Sequence, residues 1–154
     1  MLQTFVNADL TNADLSSSNL VAAFLNGADL TNAKLNKADL GGAFCKETNF
    51  LNANLSEARL ISTNLNGALL MGVCLWETQH TEWKIKGIVC EFVYFDKSRL
   101  EKSSYGVGEF ERLHAERPRI QIRYPDGIES IEIITLPALI QYLGDPPAAS
   151  ETTF

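Results

Sequence analysis

Every fifth residue from Phe5 to Leu75 is apolar, and twelve of these fifteen positions are Leu; Phe5, Cys45 and Phe50 are the others. Two residues before each, from Ala8 to Val73, the side chain is small. Ala holds ten of those fourteen positions, and Ser18, Thr48, Thr63 and Val73 hold the rest. The residue between is often Asp or Asn, as at Asp9, Asp14, Asn19, Asp29, Asp39, Asn49, Asn54 and Asn64. The phase never slips over 5–75. In an α-helix five steps advance a side chain by roughly 140°, so these Leu would spiral around the axis. In a flat strand successive Leu would fall on opposite faces. A strict period of five therefore predicts a chain that turns a corner in each repeat. Leu fills the interior, and Ala sits where the wall bends inward. Asp and Asn suit the corners, because they tolerate turn geometry and bond their own backbone.

A longer period tests this expectation. If four repeats close one coil, residues twenty apart are stacked neighbours. Asp14 then lies beside Lys34, Lys37 beside Glu57, and Asp39 beside Arg59, all of opposite sign. Phe24 stacks on Phe44, Val21 shares a column with Ile61, and Leu51 neighbours Met71. Such cross-strand pairs are worth roughly 0.2–1 kcal/mol each. Asp9 beside Asp29 is the one like-charged pair.

The A(D/N)LXX pattern of NADLTNADL and GADLTNAKLNKADL resembles the pentapeptide-repeat family. The resemblance implies a right-handed quadrilateral β-helix with four pentapeptides per coil, here slightly under four coils.

After Leu75 the apolar period stops. WETQHTEWK is polar and reads as the exit from the coil. IKGIVCEFVYF (85–95) reads as a strand, 96–108 as a loop and GEFERLHAE (108–116) as a short helix. RIQIRY and IESIEIITL alternate around PDG, which predicts a hairpin. PALIQYL has helical spacing behind Pro137, a residue suited to a first helical turn. The expected organisation is a β-helix over 1–75, a small α+β C-terminal subdomain over 76–144 and a disordered tail over 145–154. A β-helix end exposes unpaired backbone and a section of core, so the subdomain reads first as a cap. Its GEFERL and IQIRYPDGI runs are similar to C-terminal extensions of cyanobacterial pentapeptide proteins.

Composition narrows the function. The 154 residues are 45% hydrophobic and 21% charged, with a net charge of -6, which disfavours binding to a nucleic-acid backbone. No apolar run is long enough to span a bilayer, and MLQTFVNADL lacks the features of a secretory signal. With three widely spaced cysteines (Cys45, Cys74 and Cys90), no disulfide framework is expected, and a reducing, cytoplasmic setting fits. No catalytic, cofactor-binding or metal site is expected. His80 and His114 lie in no metal-spaced cluster, with His80 expected exposed, and nothing in the spacing supports a Cys90–His114 nucleophile pair. The two glycines of YGVGEF suit a turn and cap better than a phosphate cradle.

Outward apolar residues are the informative exceptions. Phe24 and Phe44 replace Asp or Asn in one column, and Val21 and Ile61 lie in a neighbouring one. Together they are the candidate partner-binding surface. Leu51, Leu69 and Met71 form a second cluster, expected to be buried under 76–143. The chain thus reads as a non-enzymatic protein-interaction module, whose second half adds specificity or forms a homodimer. The alternative implied by the resemblance is a DNA mimic that binds DNA gyrase. That needs dense acidity, whereas residues 1–75 carry six acids and four bases.

Overall fold

The computed structural model describes residues 3–115, 120–122 and 131–133. The chain divides into two units, Met1–Glu116 and Arg117–Phe154. In the first, parallel bridges join residues twenty apart in four columns. One column runs Thr4, Phe24, Phe44, Asn64, Lys84 and a second Asp9, Asp29, Asn49, Leu69, Val89. The third runs Asp14, Lys34, Asn54, Cys74 and the fourth Asn19, Asp39, Arg59, Gln79. This is a β-helix type of fold, with the coil repeat that the charge pairs indicated.

Each repeat satisfies its own backbone, as residues 30–34 illustrate. Leu30 and Asn32 N–H donate to Asn49 and Leu51 carbonyls of the next coil, and Lys34 N–H donates to Ala13 O of the previous one. Ala33 N–H closes a turn onto Leu30 O at 3.0 Å. Thr31 N–H donates to the Asp29 side chain at 2.9 Å. No N–H of the repeat is left over, which is the condition for burying a backbone. The side chains of Leu25, Leu30, Leu35 and Leu40 are then fully enclosed, with Ala between them.

This geometry corrects the placement of Asp and Asn. They stand in the bridge columns rather than at the corners. The corner is the pair of residues after each Leu, and its second member has a positive φ at every repeat from Asn7 to Gly87. A positive φ there, with the hydrogen bond spanning the turn, is a type II turn. The Asp or Asn three positions earlier caps that turn: Asp9, Asn19 and Asn49 accept the N–H of Thr11, Val21 and Leu51. The like-charged Asp9 and Asp29 are tolerated because each carboxylate turns to its own backbone. The Ala position accepts Thr where the hydroxyl finds a carbonyl: Thr48 donates to Leu25 O and Thr63 to Leu40 O, both fully buried.

The expected coil end at Leu75 is also corrected. Bridges Arg59↔Gln79, Asn64↔Lys84 and Leu69↔Val89 continue the register, and strand β1 (Val73–Cys74) pairs in parallel with β2 (Phe92–Tyr94). The segment 76–84 is therefore another stretch of coil, and 85–95 turns corners instead of running as one strand. The backbone keeps the register while the side chains change. His80 takes a Leu position, and Trp83, nearly fully buried, takes an Ala position.

Within the expected loop 96–108, β3 (Lys102–Ser104) runs antiparallel to β2, with Val93 opposite Ser103. The expected short helix is present as α1 (Glu109–His114), and its Phe110 is buried. In the second unit, β4 (Ile120–Ile122) and β5 (Ile131–Ile133) pair antiparallel, as the expected hairpin requires. The helix expected after Pro137 and the tail at 145–154 lie outside the described residues.

Candidate interaction face

The first bridge column carries the aromatic pair. Its Phe24 and Phe44 rings stack with centroids 5.0 Å apart and planes 7° from parallel. Adjacent rungs of a sheet bring side chains to this distance, and a stacked pair adds about 0.5–1.5 kcal/mol beyond its area. Phe44 remains 40% exposed. Val21 is 46% exposed at the corner leading into this face, while Ile61 is half-buried at the equivalent corner two coils on. Gly41 lies between them in the column, so the structure does not bring Val21 and Ile61 into adjacent rungs. Val6, 49% exposed at the other corner of the same face, belongs to the patch and was missed. Its position directly after Phe5, equivalent to that of Asn26 and Lys46, was the available signal.

Replacing Asp or Asn with Phe removes the cap of the next turn. After Phe44 the structure repairs this from a neighbouring coil: Lys46 N–H donates to the Asn26 side chain at 3.0 Å. The same repair serves Lys86, whose N–H donates to Asn66 at 2.9 Å, because Lys84 cannot cap. Lys46, Lys84 and Lys86 are themselves exposed on this face or its corner.

The other expected charge pairs form on the remaining faces. Asp14–Lys34 lies at 3.8 Å, Lys37–Glu57 at 3.6 Å and Asp39–Arg59 at 3.0 Å. Three acids are thereby matched by bases, and no continuous acidic stripe results along those columns. Leu51, Leu69 and Met71 are half-buried on the outside of the coil. Leu69 pairs with Val89, itself 54% exposed, so residues 85–90 extend this surface as the next coil. Of the segment 76–143 expected to cover the cluster, residues 85–90 thus lie beside it instead of over it.

The residues considered for catalysis lie in an aromatic cluster near β3 and α1. His80 is half-buried rather than exposed, and its ring packs on Trp83 at 4.4 Å. Trp83 Nε1 donates to His114 O at 3.1 Å, and the Tyr105 hydroxyl lies 3.1 Å from His114 Nε2. Burial, reinforced by the neighbouring His80, holds the His114 pKa below its ordinary value. Burial pushes the Cys90 and Cys45 thiols up to about 12, which keeps them protonated and poor nucleophiles at neutral pH. The YGVGEF glycines serve a turn and cap: Gly108 caps α1, and Gly106 N–H donates to the Glu109 carboxylate at 2.8 Å. Among the described residues no group of three or more His, Cys, Asp or Glu side chains could hold a metal ion, and no helix is long and apolar enough to cross a membrane.

The family model for pentapeptide repeats matches residues 8–44 and 45–76, in 8 copies. Among solved structures, the chain is similar to a pentapeptide repeat protein, Rfr23, from the cyanobacterium Cyanothece 51142. Identity is 33% and the TM-score 0.59, over 60% of this chain and 64% of that one. It is also similar to a pentapeptide repeat protein from the thylakoid lumen of Arabidopsis thaliana. There the identity is 31% and the TM-score 0.55, over 56% of this chain and 60% of that one. The chain thus spans under two thirds of the length of either relative. No curated protein matches in sequence.

Proposed function

This chain belongs to the pentapeptide-repeat family through residues 8–76, and from that premise we propose that it is a non-enzymatic scaffold that binds a protein partner through its Phe24–Phe44 face. On this reading the coil is right-handed and quadrilateral, as the family resemblance implies. β3 and α1 act as the cap of the last coil, and the C-terminal residues add specificity or a homodimer contact. A cytoplasmic setting, with Cys45, Cys74 and Cys90 kept as buried thiols, completes the reading.

The observation that carries it is the stacked, part-exposed pair Phe24 and Phe44 at positions the repeat otherwise gives to Asp or Asn. Folding does not need aromatic rings there. Asn19, Asn49 and Asn54 show that the position is filled as well by a polar cap. Val6, Val21 and Ile61 extend the apolar surface around the rings, on a backbone held at every repeat. A rigid face loses little entropy on binding.

The test uses the double variant Phe24→Asn/Phe44→Asn, which restores the repeat consensus and its turn caps. Its fold is checked by circular dichroism and melting. Affinity capture from the native host with mass spectrometry should recover a partner with the wild type. The variant should lose it, since truncating central aromatic anchors costs about 2 kcal/mol or more. Equal recovery by both proteins would overturn this face as the binding site.

A further inference from the structure

We infer that the segment docking on the Phe24–Phe44 face is an acidic peptide stretch with an apolar anchor, an inference that rests on the interaction reading above. The coil distributes its basic side chains unevenly among its faces. Between Thr4 and Phe95 the bases are Lys34, Lys37, Lys46, Arg59, Lys84 and Lys86. Lys34, Lys37 and Arg59 lie on other faces, each in an ion pair with a carboxylate one coil away. Lys46, Lys84 and Lys86 are exposed, and among the described residues none of them is in an ion pair. All three lie on the Phe face or its corner. Lys84 continues the column of Phe24 and Phe44, and Lys46 and Lys86 share the corner column with Val6 and Asn26.

The bridge column itself, Thr4–Phe24–Phe44–Asn64–Lys84, holds no carboxylate. The acids at its corners are Glu47 and Glu82, and Glu82 already accepts the Ser62 hydroxyl at 2.8 Å. The face is therefore apolar toward its first coils and basic toward its last, on a chain of net charge -6. Five rungs about 4.8 Å apart give a surface roughly 19 Å long, which fits about six residues of extended chain. An apolar side chain would pack against Phe44 and Val21, with carboxylates following opposite Lys84 and Lys86. A single-stranded nucleic acid fits less well. The two rings stack on each other along the column and present their edges outward, whereas bases bind to open aromatic faces.

The experiment pans a random dodecapeptide library on the full chain and measures selected peptides by fluorescence anisotropy. Enriched peptides should combine Asp or Glu with an aromatic or aliphatic residue. Their affinity should fall about tenfold or more in Phe24→Asn/Phe44→Asn. It should fall several-fold in Lys46→Gln/Lys84→Gln/Lys86→Gln, and also as salt rises, since screening shortens to about 3 Å at 1 M. Peptides without acidic bias, or with equal affinity for the lysine variant, would overturn the acidic partner and leave the Phe face standing. Peptides indifferent to the Phe variant would overturn the reading of the face itself. No enrichment, or tighter binding of a labelled twelve-residue oligothymidylate with the same lysine dependence, would overturn the peptide.

Discussion

Two stretches of the same coil obey different rules. From Leu20 to Leu75 the inward positions hold Leu and Ala, relieved only by Cys45, Phe50, Thr48, Thr63 and Val73, and the core is enclosed. From Trp76 to Phe95 the register persists although His80 replaces a Leu and Trp83 replaces an Ala. The positive φ of the corner also persists, at Glu77, Glu82 and Gly87. What passes from coil to coil is therefore the backbone ladder and the turn. The side-chain pattern fills whatever volume the ladder leaves. Near the end that volume is shared with Phe110 and Tyr105, which contact one another edge to face at 5.1 Å.

The largest expected effect separates the two stretches by packing. Leu35→Ala opens a cavity in a fully enclosed core and should cost about 2–5 kcal/mol in denaturant unfolding. His80→Ala, at the same phase but half-buried, should cost less than half as much. Equal losses would mean that the Leu period governs both stretches alike.

The next test asks whether the backbone treats them equally. Gly42 and Gly87 occupy corner positions with φ of 64° and 67°, and a methyl group at either would touch nothing. Gly42→Ala and Gly87→Ala should each lower stability by about 1 kcal/mol through conformation alone. A negligible effect at Gly87 would show that the last coil is held by its aromatic neighbours instead.

A smaller, pH-dependent effect belongs to the end alone. His114 is held neutral by burial, with His80, Trp83, Tyr105, Phe95 and Phe110 around it. Its pKa in the fold lies below the 6.5 of the free group. The unfolded chain therefore binds the proton more readily. Stability should fall as pH drops through about 6.5 and level off once the folded form also protonates. Hydrogen bonds from Thr11, Ser16 and Ser98 hold the Asp9, Asp14 and Asp96 carboxyls below the ordinary carboxylate value, so these groups act at more acidic pH. Melting temperatures between pH 5 and 7.5 should thus slope in the wild type and flatten in His114→Phe. A slope unchanged by the substitution would assign it elsewhere.

The smallest effect tests the coil-to-coil charge pairs. Asp39→Asn keeps the turn cap onto Gly41 N–H and removes only the charge facing Arg59. Both side chains are substantially exposed, so the loss should stay under about 1 kcal/mol and shrink with added salt. A larger, salt-independent loss would give these ladders a share in setting the register.

Much of the coil was legible because each coil repeats one local instruction. Leu, Ala and Asp or Asn at fixed spacing predicted the turning chain. The opposite charges at Asp14 and Lys34, Lys37 and Glu57, and Asp39 and Arg59 predicted which residues would meet. The stacked ring pair followed from the same register. The corner conformation was less legible. Residues as different as Asn7, Lys37, Glu57 and Ser62 all adopt positive φ, because the ladder on both sides outweighs their own preference. The last coil was hidden for a related reason: His80 and Trp83 break the apolar signal, and the hydrogen bonds that continue the register leave no mark in composition.

The sequence by itself determined the period, the stacking register and the identity of the outward Phe pair, since these depend on spacing along a regular path. Tertiary structure alone decided where the coil continues, which asparagines repair the missing caps at Lys46 and Lys86, and which lysines remain without a carboxylate. Those outcomes depend on neighbours twenty or more residues away and on how completely β3 and α1 fill the space beside the last coil. They are settled by hydrogen-bond satisfaction and close packing in three dimensions.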